Sequence, residues 1–109
     1  MTMATPAWLA ELDEEDRQFI KRFILASGSL KELAEIYSVS YPTVRSRLDR
    51  LIAKVKAAED PSPQDAFERK LRILVADGKV SVGLAKELMA AHQLSKQRGQ
   101  SNPRGGAKS

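Results

Sequence analysis

Basic side chains are concentrated in one stretch of this 109-residue chain, between Tyr41 and Ala58. The stretch holds five bases against one acid: Arg45, Arg47, Arg50, Lys54 and Lys56 against Asp49. Guanidinium groups bind phosphate oxygens and can pair with the edge of guanine through two hydrogen bonds. The pattern therefore indicates contact with nucleic acid. The alternative is a basic helix face that is only solvated.

Other chemistries find little support in the composition. The chain has 18 Lys+Arg against 14 Asp+Glu, a net charge of +4, one histidine and no cysteine. The lack of cysteine excludes a disulfide scaffold, a thiolate zinc site and a cysteine nucleophile. No Ser/His/Asp set, phosphate-binding glycine loop or dinucleotide fingerprint occurs. We therefore expect a protein without enzymatic activity, cofactor or metal.

The localisation is predicted from hydropathy. No apolar run approaches the roughly 20 residues that span a bilayer. The N-terminus lacks the basic and apolar segments of a signal peptide. We expect a cytoplasmic protein without a membrane partner.

Three helices are predicted in the first half, because apolar residues recur there at intervals of three and four. Asp13 and Asp16 are suited to capping the first helix, Ser29 and Glu32 the second, and Ser40 the third. Trp8 and Leu9 are expected to cover the small core. The positions predicted to face inward are Phe19, Ile20, Phe23 and Ile24, then Leu30, Leu33, Ala34 and Tyr37, then Val44, Leu48, Leu51, Ile52 and Val55.

The second and third of these helices have the spacing of a helix-turn-helix. Ala34 is small where two helices cross, Val39 is placed to fill the turn, and Val44 and Leu48 face the first helix of the pair. The pattern resembles the helix-turn-helix of sigma-factor and response-regulator output domains. Ser38 stands where a glycine is common, so we expect either left-handed strain at this residue or a relaxed turn geometry.

A longer run, from Leu12 through Ser29-Leu30-Lys31-Glu32 to Asp49, resembles an uncharacterised bacterial family of unknown function. Its members often join an N-terminal zinc ribbon to the helix-turn-helix. This chain has no cysteine, so the ribbon is absent. Both resemblances imply transcription-related DNA binding by analogy.

The second half is predicted to be a helical hairpin. Pro61-Ser62-Pro63 indicates a linker over 59–63 after a domain over 1–58. Inward residues are predicted at Phe67, Leu71 and Leu74, and at Leu84, Ala85, Leu88 and Met89, with Ser81 as a cap and His92 exposed at the helix end. The segment 73–81 resembles the hinge of short helical-hairpin modules at the ends of bacterial proteins. Residues 95–109 are expected to be a disordered basic tail.

The fold prediction is all-α: a three-helix helix-turn-helix unit followed by a short C-terminal helical hairpin. Two helices as short as those in 64–94 cannot enclose their apolar faces alone. We expect this hairpin to hold a homodimer, with packing on the same chain as the alternative.

Specific DNA contacts are assigned from the exposed side of the helix at 41–57, which is predicted to read the major groove. Base contacts are predicted for Pro42, Arg45, Ser46 and Asp49, and phosphate contacts for Tyr41, Thr43, Arg47, Arg50 and Lys54. Asp49 accepts from cytosine or orients an arginine, and Tyr41 flanks the DNA backbone or packs on the core. Both pairs of alternatives stay open at this point.

The sequence thus predicts a bacterial transcriptional regulator that binds double-stranded DNA. The main alternative is a protein-interaction module that docks onto the transcription machinery, which the acidic first helix and the modest net charge favour. RNA binding through the tail rests on composition alone.

Overall fold

The computed structural model describes residues 4–101, with side chains through Arg98. These residues form six α-helices and no strand, which confirms the all-α prediction. No helix within 4–101 is both long and apolar enough to cross a membrane. The helices are α1 (Ala7–Ala10), α2 (Glu14–Leu25), α3 (Leu30–Tyr37), α4 (Tyr41–Glu59), α5 (Ala66–Ala76) and α6 (Val82–Ser101).

The predicted caps begin the helices. Asp16 N donates to Asp13 Oδ1 at 2.8 Å and Asp13 N donates to Asp16 Oδ2 at 3.1 Å, a reciprocal capping box at the start of α2. Ser29 Oγ accepts from Glu32 N at 3.1 Å, and Ser40 Oγ accepts from Thr43 N at 3.3 Å. These bonds satisfy amides that would otherwise lack a partner at each helix start.

The turn between α3 and α4 contains the expected strained serine. Ser38 lies in the left-handed region with φ of 56° and ψ of 45°. Val39 N donates to Ala34 O at 3.0 Å, which closes the end of α3. A non-glycine residue in this conformation costs roughly 1–2 kcal/mol, so the surrounding contacts must hold it.

One apolar core joins α2, α3 and α4. Phe19, Leu33 and Val44 are at most 2% exposed, and Ala34 is buried as predicted. Trp8 and Leu9 pack against this core from α1, which confirms the prediction that these two residues cover it. Phe19 and Tyr37 stack with ring centroids 6.0 Å apart.

Three residues predicted to be buried in this unit are exposed. Ile24 is 66% exposed because it lies about 140° around α2 from Phe19. Ile52 is 40% exposed at the edge of the apolar face that Val44 and Leu51 centre. Val39 is 42% exposed and borders a small cavity at the turn, so it covers the elbow without filling it.

The predicted linker suggested that the hairpin stands apart from the first unit. In the structure, the hairpin is not separate from that unit. Helix α4 continues to Glu59, the connection spans residues 60–65, and Pro63 is buried. Helix α5 packs along α4, with Ile73 only 2% exposed. The alternative of packing on the same chain therefore holds for α5, because its apolar side covers the C-terminal half of α4.

Helix α6 packs against α5 and is longer than predicted. Ser81 caps it by accepting from Leu84 N at 3.0 Å, as expected. The helix continues to Ser101, so residues 95–101 are helical where disorder was predicted, and residues 102–109 lie outside the described part of the chain. Ala85 is buried and Met89 is half-buried. The predictions of inward side chains were wrong for Phe67, Leu84 and Leu88, which are at least 38% exposed.

Asp65 joins the two helices of the hairpin. It caps α5 by accepting from Glu68 N, its Oδ2 lies 2.9 Å from His92 Nε2, and it accepts from Lys96 Nζ at 3.0 Å. The Glu68 amide first, and then His92 and Lys96, hold the pKa of Asp65 well below its usual range. The His92 ring also stacks on the Phe67 ring, with ring centroids 4.2 Å apart. It is therefore an inter-helix contact in mid-helix and not the exposed end residue that was predicted.

The close crossing of α3 and α4 yields the first testable prediction. Ala34→Leu should destabilise the protein by about 1–3 kcal/mol, because a larger side chain must displace the helix that packs over it. Thermal unfolding followed by circular dichroism measures this. Glu35→Leu introduces the same side chain at the next, exposed position and should unfold close to the wild-type temperature. Equal melting temperatures for the two variants would contradict the crossing.

Candidate nucleic-acid interface

Helix α4 has a buried side and an exposed side along its first three turns. Val44 and Leu51 are buried in the core. The opposite side is open to solvent and carries all the residues predicted to contact bases: Pro42, Arg45, Ser46 and Asp49. The structure thus brings these four together on one exposed face.

Arg45 and Asp49 form an ion pair on that face. Arg45 Nη2 lies 3.2 Å from Asp49 Oδ1, and the two side chains are 53% and 57% exposed. The pair spans one helical turn. The contact is the one expected if Asp49 orients an arginine, and it leaves the other guanidinium donors of Arg45 free of Asp49.

The first turn of α4 exposes two of the residues predicted to contact phosphates. Tyr41 is 52% exposed, so the alternative of packing on the core is wrong. Thr43 is also exposed, and its hydroxyl lies 2.9 Å from Ser40 Oγ. This turn contains no acidic residue, so the partial positive charge of the helix start is not neutralised there.

Arg47 points back toward α2. Its guanidinium carbon lies 5.3 Å from the Phe19 ring centroid, and Nη2 is 3.9 Å from Glu15 Oε1. Its side chain is 30% exposed. The aromatic ring and the carboxylate hold Arg47 at the edge of the face that carries Arg45.

Arg50 lies beside the turn between α5 and α6. Gly78 in that turn has a φ of 77°, and a Cβ atom there would lie 3.7 Å from Arg50 Cδ. The arginine remains exposed. It therefore sits where the predicted DNA-facing side of α4 meets the hairpin.

Lys54 does not occupy the exposed face. Its side chain is 4% exposed, and Nζ donates to Asp16 Oδ2 at 2.6 Å and lies 3.2 Å from Asp77 Oδ2. The assignment of Lys54 to a phosphate contact was wrong, since two carboxylates enclose its ammonium group. A signal was present in the sequence, because Lys54 lies only about 60° from Leu51 around the helix.

The ammonium of Lys54 links three elements. Asp16 belongs to the first turn of α2, Lys54 to α4, and Asp77 caps the end of α5. Lys79 extends the cluster, with Nζ 3.3 Å from Asp77 Oδ2 and 3.8 Å from Asp13 Oδ2. We call these five residues the Lys54 cluster.

Charge within the Lys54 cluster shifts two pKa values. Burial by itself would lower the pKa of Lys54, but hydrogen bonds to Asp16 and Asp77 outweigh burial and raise it. The pKa of Asp13 is lowered, chiefly by the backbone N–H of Asp16 and further by the charges of Lys54 and Lys79. Both shifts favour the charged forms that the cluster requires.

Comparison with known proteins assigns part of the chain to a class. Residues 12–58 match the model of a family described as a domain of unknown function (DUF2089)-HTH. The match spans α2, α3 and α4, the elements that form the helix-turn-helix unit, and it supports an uncharacterised helix-turn-helix family for this segment. No curated protein and no solved structure matches the chain. The likeness to sigma-factor and response-regulator domains stays a prediction.

The buried ammonium group gives the second prediction. Lys54→Ala should destabilise the protein by about 3–5 kcal/mol, because the buried carboxylate of Asp16 loses its counter-ion and that of Asp77 keeps only Lys79. Chemical denaturation at neutral pH measures the loss. Lys56→Ala, an exposed position on the same helix, should change stability by less than about 0.5 kcal/mol.

The same variant predicts a pH dependence. The pKa of Lys54 is raised in the folded protein. Lys54 therefore stabilises the fold fully at any pH below the ordinary lysine pKa of about 10.4, and this contribution is lost as the pH rises through the pKa of Lys54 in the folded protein. The stability difference between wild type and Lys54→Ala should therefore narrow in strongly alkaline solution. A difference that stays constant up to pH 12 would contradict a charged Lys54.

Proposed function

We propose that residues 12–58 bind double-stranded DNA, with the first turns of α4 in the major groove, and that the protein regulates transcription. The observation that carries the proposal is the exposed face of α4, where Arg45 and Ser46 stand opposite the buried side of a helix-turn-helix. A recognition helix contacts base edges with the residues of its N-terminal turns. The match of residues 12–58 to a helix-turn-helix family supports the same class.

Electrostatic attraction in this proposal is modest. With Lys54 buried, Arg47 and Arg50 remain for phosphate contacts, together with the hydroxyl groups of Tyr41 and Thr43. Each neutralised phosphate contributes about −0.9 to the slope of log K against log[salt]. The two arginines should therefore give one unit a slope of about −2, and the neutral hydroxyl groups add hydrogen bonds without adding to the slope.

The residue assignments lead to the third prediction. Arg45→Ala should weaken binding to a preferred duplex by about 1–3 kcal/mol and relax the preference at one base position. The preferred duplex is first selected from a random pool with wild-type protein, and fluorescence anisotropy then gives the affinities. Lys56→Ala, near the far end of α4, removes the same charge without touching the exposed face of the first turns. Equal losses in the two variants would contradict base recognition by Arg45.

A protein partner is the second candidate, and the charges around the turn favour it. Residues 30–50 hold Lys31, Arg45, Arg47 and Arg50 against Glu32, Glu35 and Asp49, so this surface is nearly neutral. Ile36 on α3 is 51% exposed. Such a surface suits docking onto the transcription machinery. A salt slope near zero with random and selected duplexes alike would favour this candidate over DNA binding.

We also propose that a second copy of the chain covers the hairpin. A groove of about 520 Å³ runs between α5 and α6, with Leu71, Val75 and Met89 among its apolar lining. Glu68 and Arg72 border it from α5, and Lys86 borders it from α6. Charges of both signs on one rim allow two identical surfaces to be complementary about a two-fold axis. Such a dimer would present two recognition helices to successive turns of one face of DNA.

Two neighbouring alanines provide the fourth prediction. Ala90 lines the groove, whereas Ala91 lies one position further along α6 and does not, and both are exposed. Ala90→Glu should convert a dimer to a monomer at tens of micromolar protein, as measured by sedimentation, because it places a charge in the apolar contact. Ala91→Glu should remain dimeric. A monomeric wild type, or the same state for both variants, would contradict this interface.

A further inference from the structure

Asp49 is an acid in a place where an acid opposes DNA binding. It is the single acidic residue between Tyr41 and Ala58, and it lies on the exposed face of α4 beside the residues proposed to contact bases. A carboxylate there repels the phosphates that Arg47 and Arg50 would attract. Its presence on this face calls for a role other than electrostatic attraction.

The stability of α4 does not account for Asp49. Aspartate is a weak helix former in a helix interior, and this residue is in the third turn, far from the helix start that an acid would stabilise. An exposed ion pair at this spacing adds little stability, and the order with the base first is the less favourable one. Other acids of the unit, Asp13 and Asp16, have visible capping roles.

The contact with Arg45 supplies the missing role. Asp49 Oδ1 lies 3.2 Å from one terminal nitrogen of the guanidinium group. Arginine has five N–H donors, so this contact leaves enough of them for a two-bond pairing with guanine O6 and N7. A long, flexible side chain that is already held loses less conformational freedom when it binds.

We propose that Asp49 is a positioning residue that holds Arg45 in the orientation for guanine. Its carboxylate lowers the general affinity for DNA and raises the preference for one sequence. The inference rests on the proposed DNA binding by α4. It selects orientation of an arginine over direct acceptance from cytosine as the function of Asp49. The DNA ligand that this role implies is a duplex with guanine at the position that faces Arg45.

Base preference is the property that tests this role, because a merely structural role would not change it. Affinities are measured for the selected duplex, for duplexes with each base at the Arg45 position, and for a random duplex. Wild type should prefer guanine there by about tenfold or more. Asp49→Ala should reduce that preference to below about threefold, while affinity for the random duplex stays equal or rises.

Matched variants separate the positioning role of Asp49 from a general effect of removing a negative charge. Glu59→Ala removes the same charge from the exposed end of α4 and should keep the guanine preference. Asp49→Asn keeps the size of the side chain and should fall between wild type and Asp49→Ala. In Arg45→Ala, the further change Asp49→Ala should have no effect on preference at this position. Melting temperatures within a few degrees of wild type establish that each variant is folded.

The outcomes distinguish the positioning role of Asp49 from the proposed DNA binding on which it rests. An unchanged guanine preference in Asp49→Ala overturns the positioning role while DNA binding stands. A loss of preference at a different base pair, with cytosine favoured there by wild type, also overturns it, because Asp49 would then read a base itself. If wild type selects no duplex from the pool, the proposed function fails and the role of Asp49 falls with it.

Discussion

The ion pairs made by the ammonium group of Lys54 are the contacts on which the arrangement of the helix-turn-helix unit and α5 depends. The ammonium group lies between carboxylates from α2 and α5, on a helix that both of them contact. Removing one partner from a buried ionic contact leaves an uncompensated charge, which is costly in a medium that solvates ions poorly. The relation between the helix-turn-helix unit and the hairpin is thus fixed by charge pairing as well as by the apolar contact of α5 with α4.

This arrangement divides α4 into two parts with different roles. The N-terminal part is buried on one side by α3 and is open on the other, where Arg45 and Asp49 lie. The C-terminal part is covered on one side by α5, which buries Lys54 and brings the Gly78 turn against Arg50. Because α4 is one continuous helix, no flexible joint lies between the hairpin and the exposed face. The position of the hairpin relative to that face is therefore fixed.

The sequence predicted the local structure well because the relevant signals are short-range. Asp13, Ser29, Ser40 and Ser81 are followed within three residues by the amides that they accept from, so capping requires no knowledge of tertiary packing. The spacing of Ala34 and Val44 likewise reports a contact between adjacent helices. The strain at Ser38 follows from the turn itself.

Features that depend on distant contacts were missed. The partners of Lys54 are 38 residues before it and 23 residues after it, and the local pattern at Asp16 indicates a helix cap without indicating an ion pair. His92 looked like the end of a helix because its partner Asp65 lies on another helix. Pro61 and Pro63 correctly indicated a break in helix, but a break says nothing about whether the next helix returns to pack on the previous one.

The burial of Lys54 also changes how recognition by this surface must work. A basic run in the sequence implied broad attraction to phosphates, yet one of its five bases is enclosed, Arg47 is held over an aromatic ring, and Arg45 faces a carboxylate. Attraction that is shared among few free cations gives weak binding to arbitrary duplexes. On such a surface, discrimination among sequences must come from the geometry of a few held side chains, and the second site of a dimer would then supply the affinity that one unit lacks.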